Sequence, residues 1–214
     1  IQWLISKKNQ FVDVSCPACS SDRNKNAFEK NGFFYKECRS CETIYISPRP
    51  NVGLISEFYE KSKGYEYWAK YIFPASDNVR KEKIVKPRVT KVIELCEKFG
   101  AKKDLLVEVG AGFGTFSETM KGEGVFNSIV SIEPNESLAQ KCKEKGLDVI
   151  NSAIENVTLD KKASVVVSFE VIEHLFSVNE FLQKTKQLLE RKGLAIFSCP
   201  NIKGFDNVVL GVKS

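Results

Sequence analysis

Leu105-Leu106-Val107-Glu108-Val109-Gly110-Ala111-Gly112-Phe113-Gly114 is the stretch on which the reading of this chain turns. Its first half is an apolar run carrying one acid, and its second half has a glycine at every other position. Helical spacing follows over about 114–121. Strand, glycine turn and helix in that order make one βα unit. The alternation continues outward, with short β-branched or apolar runs at 128–132, 147–150, 164–168 and 194–198 and helices expected over about 137–145 and 178–191. Near-continuous apolar strands alternating with helices predict an α/β fold, a doubly wound, mostly parallel sheet covered on both faces.

Glycines at a strand-to-helix turn remove the Cβ atoms that would hold a ligand off the backbone, permit positive φ, and bring N–H groups at a helix start near that ligand. An adenosine-containing ligand is therefore expected, and two classes compete. A dinucleotide site needs a third glycine three residues after the second, where pyrophosphate meets the helix, and that position is Thr115. A second requirement is a carboxylate at the tip of the next strand to accept both hydroxyls of a ribose. Glu133, followed by Pro134, occupies that register.

The alternating glycines behind Glu108 resemble the first signature of class I S-adenosylmethionine-dependent methyltransferases. Ser168-Phe169-Glu170-Val171-Ile172-Glu173-His174-Leu175, 188–194 and Cys199-Pro200-Asn201 are similar to the branch containing ubiquinone-biosynthesis O-methyltransferases, the likeness covering about 104–207. The resemblance implies S-adenosylmethionine as cofactor, with Glu108 serving the amino end of the ligand through water or neighbouring backbone. Gly110, Ala111, Gly112, Phe113 and Gly114 would face its methionyl part, Glu133 and Pro134 its ribose, and Ala153 and Ile154 its adenine. Phe169 and Glu170 would line the site from the fourth strand.

Methyl transfer from a sulfonium needs mainly alignment and exclusion of water. Where the acceptor is a hydroxyl a base helps, and His174, the sole histidine, is the candidate, with Glu170 beside it; His174 can equally cap or pack its turn. The family's sheet has seven strands, the last two an antiparallel hairpin, and five are recognisable here. A core over 101–214 incomplete at its C-terminus is the expectation.

Upstream, Cys16-Pro17-Ala18-Cys19 and Cys38-Arg39-Ser40-Cys41 flank an 18-residue insert. Two CxxC turns joined by a hairpin can close a tetrahedral zinc site with no open position. A zinc ribbon over 1–50 is expected, with strands at 33–35 and 43–46 and a polar turn over 20–26, ended by Ser47-Pro48-Arg49-Pro50. Cys96, Cys142 and Cys199 read as small buried hydrophobes. Residues 51–100 read as a helical linker and cap: Asn51 as an N-cap, an aromatic run including Tyr59, Tyr65, Tyr67 and Trp68 that either packs or folds over the cofactor as a lid, and a helix over about 79–99 interrupted at Pro87. Similar ribbons precede methyltransferase domains acting on sugars or bacterial surface-polymer precursors, so the resemblance implies a small-molecule or glycan-precursor acceptor.

An apolar fraction of 43% and a charged fraction of 28% exclude disordered and fibrous classes. Residues 1–104 carry 20 Lys/Arg against 13 Asp/Glu. Arg23, Lys25, Lys30, Lys36 and Arg39 keep open a second function class, an interaction module for nucleic acid or protein beside a non-catalytic cofactor domain. The basic helix from Arg80 to Lys91 reads instead as a solvated face, and nucleic acid is not the expected partner. With no apolar run of about 18 residues and no secretory signal, a cytosolic protein without a membrane segment is expected.

Overall fold

The computed structural model describes residues 2–61, 67 and 71–211. They divide into two compact units, one of residues 1–73, 176–179 and 200–214, the other of 74–175 and 180–199. Among the described residues no helix is long and apolar enough to cross a membrane.

The first unit begins with the short helix α1 (Gln2–Ile5) and strand β1 (Phe11–Val12), and is built on a meander of β2 (Asn24–Lys30), β3 (Phe33–Cys38) and β4 (Ile44–Ile46). Asn31 and Gly32, at φ 52° and 79°, make the two-residue turn between β2 and β3, the conformation that Asn-Gly favours. The strand reaches back to Asn24, so the expected polar turn over 20–26 ends three residues earlier. The prolines stop β4 as expected, but Arg49–Pro50 then forms β5, paired with β1 at an edge, where Pro50 need not donate. Asn51 caps α2 (Val52–Lys61), its Oδ1 accepting from the Leu54 N–H at 2.8 Å.

The second unit opens with α3 (Phe73–Arg80) and α4 (Lys86–Phe99). Pro87 does not break the helix. Residues 81–85 widen into a π-turn, and Pro87 enters at the first positions of α4, where its missing N–H costs least. Then follow β6 (Leu105–Val109), α5 (Thr115–Glu123), β7 (Ser128–Ile132), α6 (Glu136–Glu144), β8 (Asp148–Ile150), β9 (Ala163–Phe169), α7 (Val178–Leu188), which belongs to this unit from Glu180 on, and β10 (Leu189–Ser198). Chain order and sheet order differ: the strands lie β10-β9-β6-β7-β8, all parallel. The chain winds from β6 first to one side and then to the other, which puts the switch point, and a ligand crevice, beyond the ends of β6 and β9.

Both sheet faces are covered, as continuous apolar strands require. Leu105, Val107, Val109 and Val166 pack with Phe181 and Leu188 of α7, while Leu106, Val165 and Val167 pack with Val89, Val92 and Cys96 of α4 and Phe116 and Met120 of α5. α7 is shorter than its sequence suggests: Leu189 already pairs with Ala163, and Lys192 at φ 66° precedes Gly193, whose added Cβ would lie 3.2 Å from the Ala163 carbonyl. A helix to residue 191 would need that space. The first unit includes α8 (Phe205–Leu210).

Candidate functional site

The glycine loop leaves β6 at the switch point with Gly110, Gly112 and Gly114 at φ 76°, 58° and 70°. The three have different reasons. A Cβ at Gly110 would lie 2.5 Å from Val171 Cγ2, and one at Gly114 would lie 2.6 Å from Leu147 Cδ1, so these two are dictated by the protein's own packing. A Cβ at Gly112 meets nothing within 4 Å. Gly112 is where the loop borders open space.

The loop's N–H groups differ from expectation. Gly110 and Ala111 donate to the Ile132 carbonyl at 2.8 and 3.3 Å, Gly114 donates to Ala111 at 2.9 Å, and Gly112 donates to Glu133 Oε2 at 2.7 Å. Four donors of the loop are thus spent inside the protein rather than offered to a phosphate. Thr115, the position a dinucleotide glycine would hold, instead donates through Oγ1 to Asp77 of α3 at 3.1 Å. The loop suits an adenosine ligand without a pyrophosphate.

Glu133 ends β7, almost wholly buried, with Oε1 accepting from the Asn135 N–H at 2.9 Å. Burial raises its pKa against the two backbone donors that lower it. Each carboxylate oxygen retains a lone pair for a diol. Asn151 ties the Pro134 and Glu133 carbonyls at 3.1 and 2.8 Å, and Asn135 caps α6. Beyond β8, Ala153 is half-buried and precedes a one-turn helix, whereas the Ile154 side chain lies in the core with Val157 and Phe181.

Glu108 is buried under the loop. Its Oε2 accepts from Ser117 Oγ at 2.5 Å and from the Ser117 N–H at 3.2 Å, and Ser131 Oγ donates to Ser117 Oγ at 2.9 Å. Burial pushes its pKa up to about 8. This carboxyl fixes the first turn of α5 to β6 and so holds the loop from beneath. Ser117 and Ser131 were not singled out by the sequence, although two serines on otherwise apolar buried faces are a signal of a buried polar partner. Cys142 also buttresses the loop, its Sγ lying 3.2 Å from the Gly112 carbonyl. Phe113 stands beside Lys141, whose Nζ is 4.9 Å from the ring centroid.

At the tip of β9, Phe169 packs on Phe116 with centroids 4.8 Å apart. Glu170 adopts φ 56° and is over-determined: its Oε1 accepts from Arg88 Nη2 at 2.9 Å and Ser198 Oγ at 2.7 Å, and its N–H donates to the Ser198 carbonyl at 3.0 Å. In the sequence Arg88 is one member of a basic helix face and carries no separate signal. His174 closes a one-turn helix with its side chain 61% exposed, and Nε2 lies 3.9 Å from Glu173 Oε1, beyond hydrogen-bonding reach. Of the aromatic run, Tyr65, Trp68 and the Tyr59 side chain lie outside the described residues; Tyr67 is exposed against Tyr71, centroids 5.0 Å apart.

The cysteine pairs come together. The four Sγ atoms of Cys16, Cys19, Cys38 and Cys41 lie within 4.8 Å of one another, with Cys16 to Cys41 and Cys19 to Cys38 each 3.6 Å. Four thiolates about 2.3 Å from one zinc ion stand about 3.8 Å apart, so the set fits that ion. The two knuckles are alike: Ser20 and Glu42, each following a second cysteine, have φ 58° and 62° and donate to the Cys16 and Cys38 carbonyls. The Thr43 hydroxyl, 3.2 Å from Cys41 Sγ, heads the contacts that lower the Cys41 pKa to about 6. Lys25 and Lys36 of the ribbon are paired with Glu37 and Asp13, and Arg39 Nε donates to the Asn24 carbonyl, which ties these basic residues locally. Among the remaining cysteines Cys96 and Cys142 are buried as expected, but Cys199, one residue beyond the end of β10, is exposed.

A doubly wound sheet with its glycine loop at the switch point and an acid ending the second strand defines the class I S-adenosylmethionine-dependent methyltransferase fold. The family model described as "Methyltransferase domain" matches residues 82–207, and the chain belongs to that family. Curated relatives include the ubiquinone biosynthesis O-methyltransferases of Rickettsia conorii, 32% identical over 45% of this chain and 35% of that protein, and of Actinobacillus pleuropneumoniae, 29% identical over 54% and 53%. The chain spans about a third to a half of the length of these relatives. Among solved structures, an S-adenosylmethionine-dependent methyltransferase from Clostridium acetobutylicum superposes with a TM-score of 0.56 at 15% identity, covering 68% of this chain and 61% of that one. An amino pentose methyltransferase from Micromonospora echinaspora gives 0.53 at 16%, covering 59% and 56%. These two similarities are similarities of fold.

Proposed function

We propose that the chain binds S-adenosylmethionine across Gly112 and Glu133 and that the protein transfers its methyl group to a small-molecule acceptor, sugar or glycan precursors included. The observation that carries this is the loop's inward-turned N–H groups: they leave an open glycine and a diol-accepting carboxylate but no cradle for a pyrophosphate. Bound there, the cofactor would supply a methyl on a sulfonium, a leaving group already activated. The chain's own part is to bind and orient. Glu133 would accept from the ribose hydroxyls, Ala153 and the backbone at Ile154 would border the adenine, and Glu108 would act through Ser117 to hold the loop. The names of the curated relatives favour an oxygen acceptor; its proton would pass to His174 Nε2, the exposed imidazole that ends the one-turn helix after β9. Four thiolates would hold a structural zinc ion, and reduced, metal-bound cysteines accord with a cytosolic setting.

Calorimetric titration tests the reading. S-adenosylmethionine and its demethylated product should bind and NAD should not. Glu133→Gln, which keeps shape but loses the charged acceptor, should weaken the methyl donor about tenfold or more. Binding of NAD alone would overturn the assignment. Full turnover by His174→Ala on a hydroxyl acceptor would remove the base role and leave cofactor binding intact.

A further inference from the structure

The cysteine unit contains four residues far removed from it in sequence. Phe176–Asn179 belong to it, and the chain reaches them directly from the turn 170–175 that carries Glu170 and His174. Val178 and Asn179 open α7, and two contacts tie the segment to the ribbon. Arg49 Nη2 donates to the Phe176 carbonyl at 2.5 Å while the guanidinium lies 4.1 Å from the Phe176 ring centroid. Asn179 Nδ2 donates to Ser20 Oγ at 3.1 Å.

Both anchors are parts of the ribbon. Ser20 closes the first knuckle, donating its N–H to the Cys16 carbonyl at 2.8 Å. Arg49 sits in β5 opposite Val12, and Ser47, two residues before it and fully buried, accepts through Oγ from the Val14 N–H at 3.2 Å, two residues before Cys16. Arg49 Nε is buried without a hydrogen-bond partner, so this side chain accepts a desolvation cost that a surface arginine avoids. A stacked and hydrogen-bonded guanidinium is a geometry that lysine cannot reproduce.

We propose that Arg49 and Ser20 are positioning residues through which the metal-filled ribbon grips residues 176–179 and thereby orders the preceding turn, 170–175. The consequence for methyl transfer rests on the function proposed above; the coupling itself does not. Because the turn packs Val171 against Gly110, its order bears on the glycine loop as well.

Backbone hydrogen exchange on the zinc-loaded chain tests it. Chelation should speed exchange over 171–179 about tenfold or more while 105–109 and 163–169 remain protected. Arg49→Met with zinc retained should do the same, chelation should then add little over 171–179, and Arg49→Lys should recover only part. Asn179→Ala provides a milder variant in case Arg49→Met fails to fold. In the same samples the methyl donor should bind several-fold more weakly to Arg49→Met than to the parent, with Arg49→Lys between them. Unchanged exchange over 171–179 after chelation, or equal acceleration in the parent and in Arg49→Met, overturns the proposal. Coupled exchange with no donor binding in the parent would sustain it and sink the functional reading instead.

Discussion

The two units are stabilised by different means. The α/β unit buries long apolar strands and helix faces, with Leu106, Val107, Val165, Val166, Val167 and Phe181 inaccessible to solvent, each side chain contributing about 1.5–3 kcal/mol by burial. The cysteine ribbon has a core of Cys16, Cys38 and Tyr45 with Val14 against it. A unit with so few buried apolar groups depends on a cross-link, and two of its three core members are the proposed ligands. The difference teaches where each unit is vulnerable: one to steric change, the other to chemistry at sulfur.

The largest expected effect breaks this contrast. Chelation, or Cys38→Ser, should abolish exchange protection across 24–46, because structural zinc contributes roughly 10 kcal/mol to such folds, whereas the sheet from β6 to β10 should keep its protection. Simultaneous loss in both units would show that they do not differ as described. Next in size is the glycine pair. Gly114→Ala should destabilise the α/β unit by about 3 kcal/mol through positive φ and collision with Leu147 and Cys142, while Gly112→Ala should cost about 1 kcal/mol yet weaken cofactor binding. Melting and calorimetry on the two variants separate packing from recognition; equal melting would refute the assignment of Gly112 as the open position.

The smallest effect is in pH. Glu108 has a folded pKa near 8, above its unfolded value, so the folded state holds the extra proton between the two. Its contribution is complete below the unfolded pKa and is lost as pH rises toward 8, at most about 1.4 kcal/mol per pH unit for one proton. Glu108→Gln keeps a Ser117 acceptor and should flatten that slope, which denaturation at pH 5, 6.5 and 8 would register. An unaltered slope would mean that Glu108 is already ionised in the fold.

Much of the α/β unit was legible because its signals are contiguous. Period, glycine spacing and the acid after β7 sit within a few residues of one another, and the sheet follows from them. Other features were not legible for particular reasons. The Asn31-Gly32 turn is the exception, a two-residue hairpin signal written in adjacent residues. The end of α7 at Leu188 depends on where Ala163 waits for Leu189, and the exposure of Cys199 depends on β10 ending at Ser198; a run of apolar residues records neither. Ile154 reads as a lining residue until the core claims its side chain.

Sequence alone determined the alternation of strands and helices, the glycine loop, Glu133 in its register and the two CxxC pairs, since each is encoded by neighbours in the chain. Tertiary structure decided which partner each polar group finds: Ser117, itself bonded by Ser131, for Glu108, Arg88 and Ser198 for Glu170, and Phe176 for Arg49. The last partnership joins residues 127 positions apart. It also decided that the loop's donors face inward, which agrees with the choice between two cofactor classes that Thr115 and Glu133 make in the sequence. The physical reason is the same in each case: buried donors and acceptors must be paired, and the fold, not the local pattern, brings their partners within reach.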